Sequence, residues 1–171
     1  MKIWPVGVAR TAEIGVGLTY LIAAGLKATA INGFLPQIRA YQIVESSNAL
    51  IVVALVALAL ETFLGVCMVF GVPWRRIVLG AGAAMLCFFT AVIVYAWQVH
   101  DLSDCGCFGK VKFTPPQAIA KNLVMLALTA LAYYGLVLRN EILPQSRDGR
   151  KRVIAATLLA LMLCAYAVPQ L

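Results

Sequence analysis

The stretch Ile77–Tyr95, IVLGAGAAMLCFFTAVIVY, contains no charged residue and is long enough to cross a lipid bilayer as one α-helix. Tyr95 and Trp97 near its end are aromatic residues of the kind that favour a membrane–water interface. The small residues Gly80–Ala84 predict that a neighbouring helix approaches this segment closely. The stretch therefore indicates an integral membrane protein.

The composition of the whole chain agrees with that interpretation. Hydrophobic residues make up 63% of the 171 residues and charged residues 12%, which is outside the usual range for a soluble domain. We find no Gly-rich phosphate loop, no zinc-finger spacing and no Ser-His-Asp set, and the apolar runs leave no room for a soluble catalytic domain. The net charge of +7 is interpreted as a signal of membrane orientation and not of nucleic acid binding.

Five apolar runs predict an all-α integral membrane protein, a four-helix transmembrane bundle plus a fifth C-terminal transmembrane helix. The bundle occupies residues 1–138, followed by a basic cytoplasmic linker at 139–152 and the fifth helix at 153–171. Between the first two spans, Phe34–Val44 favours a short helix on the membrane surface, with an ordinary loop as the alternative. The first four spans are expected at about 12–28, 49–70, 77–97 and 118–138.

The distribution of basic residues predicts the orientation of the chain. With the N-terminus in the cytoplasm, nine of the 14 Lys and Arg residues lie on the cytoplasmic side and five, including Lys27, on the other side. Glu13 and Lys27 distinguish the first span from a cleaved signal peptide, so we expect a retained helix. We therefore expect a multi-pass protein of the bacterial inner (cell) membrane, with the loop 98–114 on the periplasmic or extracellular side.

That loop contains the sequence Cys105-Gly106-Cys107. A Cys-x-Cys pair can close as a small, strained disulfide, and strain raises the reduction potential, so the bond is readily passed to another thiol. The same pair could instead bind a soft metal such as Cu(I) or Zn(II), or remain as two unpaired cysteines in a tight turn. The predicted location in an oxidising compartment favours the redox interpretation.

Two ionisable residues are further candidate site residues. Glu61 falls near the middle of the second span, where an ionisable group is costly, and it is a candidate for proton transfer or for a quinone site. The alternative is a structural, protonated Glu61 that is hydrogen-bonded to a neighbouring helix; in either case we expect it to face the bundle interior and to be neutral near pH 7. His100, the only histidine, precedes Cys105 by five residues and could shuttle a proton or activate a thiol, or could simply be solvated. Glu13 is predicted to pair locally with Arg10.

Four helices with a Cys-Gly-Cys-Phe-Gly sequence after the third span resemble the MauE branch (methylamine utilisation) of the DoxX-like integral membrane proteins. The resemblance covers roughly residues 12–138, and it implies thiol–disulfide exchange with a thioredoxin-like periplasmic protein in the maturation of disulfide-rich exported proteins. It also implies a possible link of this chemistry to the quinone pool, while the fifth helix departs from a family core of four. Features that support the resemblance are Lys27, the Phe34–Tyr41 stretch, and Glu61 with Leu64-Gly65 after it.

Two classes of function follow. In the first, a thiol–disulfide oxidoreductase uses Cys105 and Cys107 to exchange electrons with a soluble thiol protein, and the membrane part passes them to a quinone. In the second, a non-catalytic maturation or assembly subunit acts beside other membrane subunits, and its cysteine loop docks a partner or handles a soft metal. The oxidising location of the loop favours the first class.

Overall fold

The computed structural model describes residues 6–43, 46–72, 74–100, 114–138 and 149–170, and all regular secondary structure in these ranges is helical. The prediction of an all-α membrane bundle is confirmed, because four helices are each long and apolar enough to cross a membrane. The first helix meets the same test only together with the short helix after it. The helices are α1 (Val6–Ala28), α2 (Ile31–Ala40), α3 (Ser47–Phe70), α4 (Arg75–His100), α5 (Pro115–Tyr133), continued by a π-helical turn (Tyr134–Leu138), and α6 (Gly149–Ala167), continued by a 3-10 turn (Val168–Gln170).

The short helix α2 bends away from α1 by 101°. It confirms the helical alternative for this part of the chain, although it begins three residues before the predicted stretch. Its buried face consists of Ile31, Phe34 and Ile38, which pack with Ala28 of α1 and Leu50 of α3 in one hydrophobic cluster. The helix therefore covers one end of the bundle and is held there by apolar contacts.

α1 and α3 approach each other closely where they cross. A Cβ atom at either Gly17 or Gly65 would lie 2.9 Å from the carbonyl oxygen of the other residue, so only glycine allows the two backbones to pass. The close approach predicted for the small residues of α4 is found at Gly82, whose carbonyl oxygen accepts a hydrogen bond of 2.8 Å from the Tyr20 hydroxyl. Gly80, by contrast, has no neighbouring atom at its Cβ position.

The other helices are arranged around this crossing. α6 packs mainly on α3, and α4 packs mainly on α5, which in turn contacts α1. α3 and α4 follow each other in the chain but pack only loosely together. The bundle thus has one seam, between α3 and α4, that is less tightly closed than its neighbours.

The two ends of the bundle differ in what they carry. We call one the loop end, because α4 finishes there at His100 and α5 begins there after Thr114, with residues 101–113 joining the two. The backbone N–H of Thr114 donates to the side-chain oxygen of Gln117 at 3.1 Å, which caps the start of α5. α2 covers this same end, since α1 ends and α3 begins there.

We call the opposite end the arginine end, after Arg10, Arg75 and Arg152. The guanidinium of Arg152 donates to the carbonyl oxygens of Phe70 and Gly71 at 2.8 and 2.9 Å. α6 begins at Gly149, so the last basic residues of the predicted linker belong to its first turn. These bonds fix the start of α6 to the end of α3, where helical carbonyls have no partner of their own.

Candidate functional site

The predicted site residues are only partly within the described chain. Cys105 and Cys107 lie outside the described residues. His100 is the last residue of α4, and its ring stands edge-on to Tyr95 with the ring centroids 5.6 Å apart. Glu61 lies inside α3 with 3% of its surface exposed, so the expectation that it faces the bundle interior is confirmed.

Glu61 forms a buried ion pair with Lys27 in the last turn of α1. The ammonium Nζ of Lys27, which is 4% exposed, donates to Oε1 of Glu61. The same nitrogen lies 5.2 Å from the ring centroid of Phe34 and 5.5 Å from that of Phe89. Two aromatic faces therefore stabilise the cation in a position where it is largely removed from water.

This pair gives both residues a partner that the sequence analysis did not assign. Lys27 was counted with the basic residues on the outer side of the membrane, and the structure shows it buried in α1 beneath α2. Glu61 was considered without a cation near it, and the structure places the Lys27 ammonium beside its carboxylate. Each charge offsets part of the free-energy cost of removing the other from water. A single buried charge would have no such compensation.

The second oxygen of Glu61 has a different environment from the first. Oε2 is buried and has no hydrogen-bond partner among the residues that the structure describes. The nearby Tyr20 hydroxyl does not fill this role, because it donates its proton to the carbonyl oxygen of Gly82. A buried acceptor without a donor is costly, so this oxygen marks a place where a ligand or water would be stabilised.

A cavity of about 300 Å³ lies beside the ion pair. Its wall is mainly apolar and comes from α1 to α5, with Lys27, Glu61 and Asn122 among its polar members. Asn122 is 2% exposed and donates to the hydroxyl of Thr90 at 3.0 Å, which ties α5 to α4 behind the cavity. An apolar chamber with a few fixed polar groups is typical of small-ligand sites.

The cavity reaches the surface at the side of the bundle. Towards the loop end, Tyr41 lines it and packs against the cluster of Ile93 and Ala118, and Ile43, which also lines it, is 55% exposed. Val53 of α3 and Phe88 of α4 also line the cavity, and they are 40% and 64% exposed. Because both belong to membrane-spanning helices, their exposed surfaces face lipid, and the cavity opens towards the bilayer at the loose seam.

The other buried glutamate, Glu13 at the arginine end, is fully partnered. Arg10 binds its Oε2, which confirms the predicted local pair, and Nε of Arg75 lies 3.3 Å from its Oε1. Arg10 also donates to the carbonyl oxygens of Met68 and Val69 near the end of α3. This cluster binds α1, α3 and α4 together and gives each oxygen of Glu13 a cationic partner.

The described residues contain three cysteines, and none of these forms a disulfide. Cys67 is buried in the core, Cys87 is exposed on the lipid-facing surface, and Cys164 is half-buried with its Sγ 3.7 Å from the carbonyl oxygen of Leu55. No cluster of three or more His, Cys, Asp or Glu side chains in the described ranges could hold a metal ion. The soft-metal alternative concerned Cys105 and Cys107, which lie outside those ranges.

The helices and the buried site define a multi-pass α-helical membrane protein with a ligand-sized cavity in its bundle. Within that class, the chain belongs to the family described as methylamine utilisation protein MauE, whose model matches residues 6–135. The match covers α1 to α5, and α6 lies beyond it. No curated protein and no solved structure gives a significant match.

Sequence reasoning identified Glu61 but missed its partner. The sequence did contain a signal for this pairing. Lys27 lies at the edge of one apolar run and Glu61 lies within the next, and a charged residue in either place needs a partner. The sequence could not show that α2 folds over Lys27. The cavity itself follows from the packing of five helices and has no signature in any one of them.

Proposed function

We propose that this chain is a membrane thiol–disulfide redox protein, in which Cys105 and Cys107 exchange electrons with a thioredoxin-like protein during the maturation of exported proteins. The observation that carries the proposal is the position of the Cys-Gly-Cys sequence between His100 and Thr114, at the loop end of a MauE-family bundle. The pair is thus attached to the two helices, α4 and α5, that form one side of the cavity. The orientation that belongs to this proposal has the N-terminus in the cytoplasm and the loop in the periplasm.

The exchange requires two thiols on each protein. A thiolate of the reduced partner attacks one sulfur of the Cys105–Cys107 disulfide and forms a mixed disulfide, while the other loop sulfur leaves as a thiolate. The second thiolate of the partner then attacks the mixed disulfide, so the partner becomes oxidised and the loop pair becomes a dithiol. Two electrons pass to the loop, which needs a further acceptor before it can react again.

The proposal is tested by trapping the mixed disulfide. In Cys105→Ser and in Cys107→Ser the resolving thiol is lost, so we expect both variants to be inactive and at least one to accumulate a covalent adduct on non-reducing gels. Mass spectrometry of the adduct would identify the partner. Cys87→Ser is the matched control, because Cys87 faces lipid on α4 and should exchange normally and form no new adduct.

Two results would contradict the redox proposal. One is full activity of both loop variants without any adduct. The other is a stoichiometric metal in the wild-type protein that is lost in both loop variants and retained in Cys87→Ser, which would support the soft-metal function instead.

A further inference from the structure

We infer that the cavity beside Glu61 binds the headgroup of a lipid-soluble quinone, which enters from the bilayer between α3 and α4. The observations that carry this inference are the open Glu61 oxygen, the shape and lining of the cavity, and its lateral opening. The redox role of the site rests on the proposed function, but the binding of the quinone does not.

The polar groups of the cavity match a quinone and its reduced form. Oε2 of Glu61 is buried without a hydrogen-bond partner among the described residues, so it can accept a hydrogen bond from a quinol hydroxyl. An ammonium has three donors, so Lys27 can hold Oε1 of Glu61 and still donate to a quinone carbonyl oxygen. A donor and an acceptor fixed side by side recognise both oxidation states of one oxygen atom on the ring.

The apolar part of the wall suits a flat ring. Phe34 and Phe89 flank the ion pair and both line the cavity, so a planar aromatic headgroup can pack against their faces. The volume of about 300 Å³ is at the lower end of the range for ligand sites and fits one ring better than a ring with its isoprenoid chain. The chain would remain in the lateral opening and in the bilayer beyond it.

The lateral opening gives access to ligands that are dissolved in the membrane. Val53 and Phe88 form its lipid-facing edges. A quinone reaches this opening by diffusion within the bilayer. A lipid acyl chain could enter by the same route, but it has no donor for the Glu61 oxygen.

In the redox cycle, the quinone is the acceptor that the loop dithiol needs. Two thiols and one quinone give one disulfide and one quinol, so two electrons and two protons move from Cys105 and Cys107 to the ring oxygens. Glu61 is then the group that holds the hydroxyl formed on the nearer ring oxygen. The site thus pairs a two-electron thiol couple with a two-electron lipid-soluble carrier.

The binding test uses the full-length protein in lipid nanodiscs with tritium-labelled decylubiquinone as the probe. We expect saturable binding at one site, which Ala57→Phe weakens by about tenfold because a larger side chain fills the cavity at the seam. Val56→Phe is the matched control, since Val56 is on the same helix, is exposed to lipid and does not line the cavity. Absence of saturable binding to the wild type, or equal binding by the two variants, would overturn the inference.

A second arm separates this inference from the proposed function. The double variant Cys105→Ser/Cys107→Ser should bind decylubiquinone as the wild type does. Normal binding together with normal thiol exchange by that variant would contradict the proposed function and leave the quinone site standing. A normal trapped adduct together with no quinone binding by the wild type would overturn the quinone site and leave thiol exchange standing.

Discussion

The protein buries two glutamates, one at the arginine end of its bundle and one within a span, and gives them different surroundings. Glu13 at the arginine end is 1% exposed and has both carboxylate oxygens bound by arginines. Glu61 lines the cavity, is 3% exposed and has one oxygen bound by Lys27, while its other oxygen has no hydrogen-bond partner among the described residues. The two glutamates are therefore similarly buried, but only Glu13 has a partner on both of its oxygens. We call Glu13 the closed site and Glu61 the open site.

The difference indicates different roles for the two carboxylates. Glu13 has an arginine on each oxygen, and Arg10 also binds the carbonyl oxygens of Met68 and Val69, so this carboxylate joins helices. A carboxylate that keeps a buried acceptor open reduces the stability of the protein unless a ligand completes it. We interpret Glu13 as a structural residue and Glu61 as a ligand-binding one.

The largest expected effect on stability comes from removing the cation at the open site. Lys27→Met leaves the Glu61 carboxylate buried without a counterion, which should lower the free energy of unfolding by about 3 kcal/mol. Equilibrium unfolding by SDS in mixed micelles, followed by the helical circular dichroism signal, measures the change. The double variant Lys27→Met/Glu61→Leu should recover most of the loss, because it replaces the ion pair by apolar groups.

If Lys27→Met unfolds at the same SDS fraction as the wild type, the Lys27–Glu61 pair is not the buried ion pair described above. If the double variant is as unstable as Lys27→Met, the loss comes from packing and not from the uncompensated charge. Either result would contradict the claim that Glu61 is a buried charge that depends on Lys27, and the contrast with Glu13 would then fail.

A smaller effect is expected at the closed site. Arg10→Met removes the bond to Glu13 and the two bonds to the carbonyl oxygens of α3, but Arg75 remains beside the carboxylate. The loss in free energy of unfolding should be about 2 kcal/mol, since charge-assisted bonds are lost but the charge of Glu13 stays partnered. Quinone binding by this variant should equal that of the wild type, and a tenfold loss of binding would show that the arginine end is not independent of the cavity.

The sequence was sufficient for the fold class because each span has its own signal. α3, α4 and α5 are apolar runs whose predicted bounds differ from the observed ones by only a few residues. The surroundings of Lys27 were harder to predict, because its burial becomes evident only when α2 is seen to cover it. The close crossing of α1 and α3 was missed as well, because Gly17 and Gly65 lie outside the cluster of small residues in α4, whereas Gly80 within that cluster has no neighbour at its Cβ position.

For the candidate site, the sequence identified an ionisable residue within an apolar run, but it did not reveal the cavity beside that residue. Glu61 stood out because a carboxylate within an apolar run is costly, and the prediction that it faces inward is confirmed. Its pairing with Lys27 and the lateral opening beside Phe88 depend on how five helices meet, which periodicity within one helix does not encode. The roles of Cys105, Cys107 and His100 remain predictions.

The central claim, that a quinone held beside Glu61 oxidises the loop thiols, is tested most directly by counting those thiols. The reduced full-length protein in nanodiscs is mixed with decylubiquinone, and the alkylation of Cys105 and Cys107 is followed by mass spectrometry. We predict that both thiols are lost together in the wild type and in Glu13→Gln, and that Glu61→Gln slows their loss by at least about tenfold. Thiols that stay reduced in the wild type, or equal rates in Glu61→Gln and Glu13→Gln, would contradict the account.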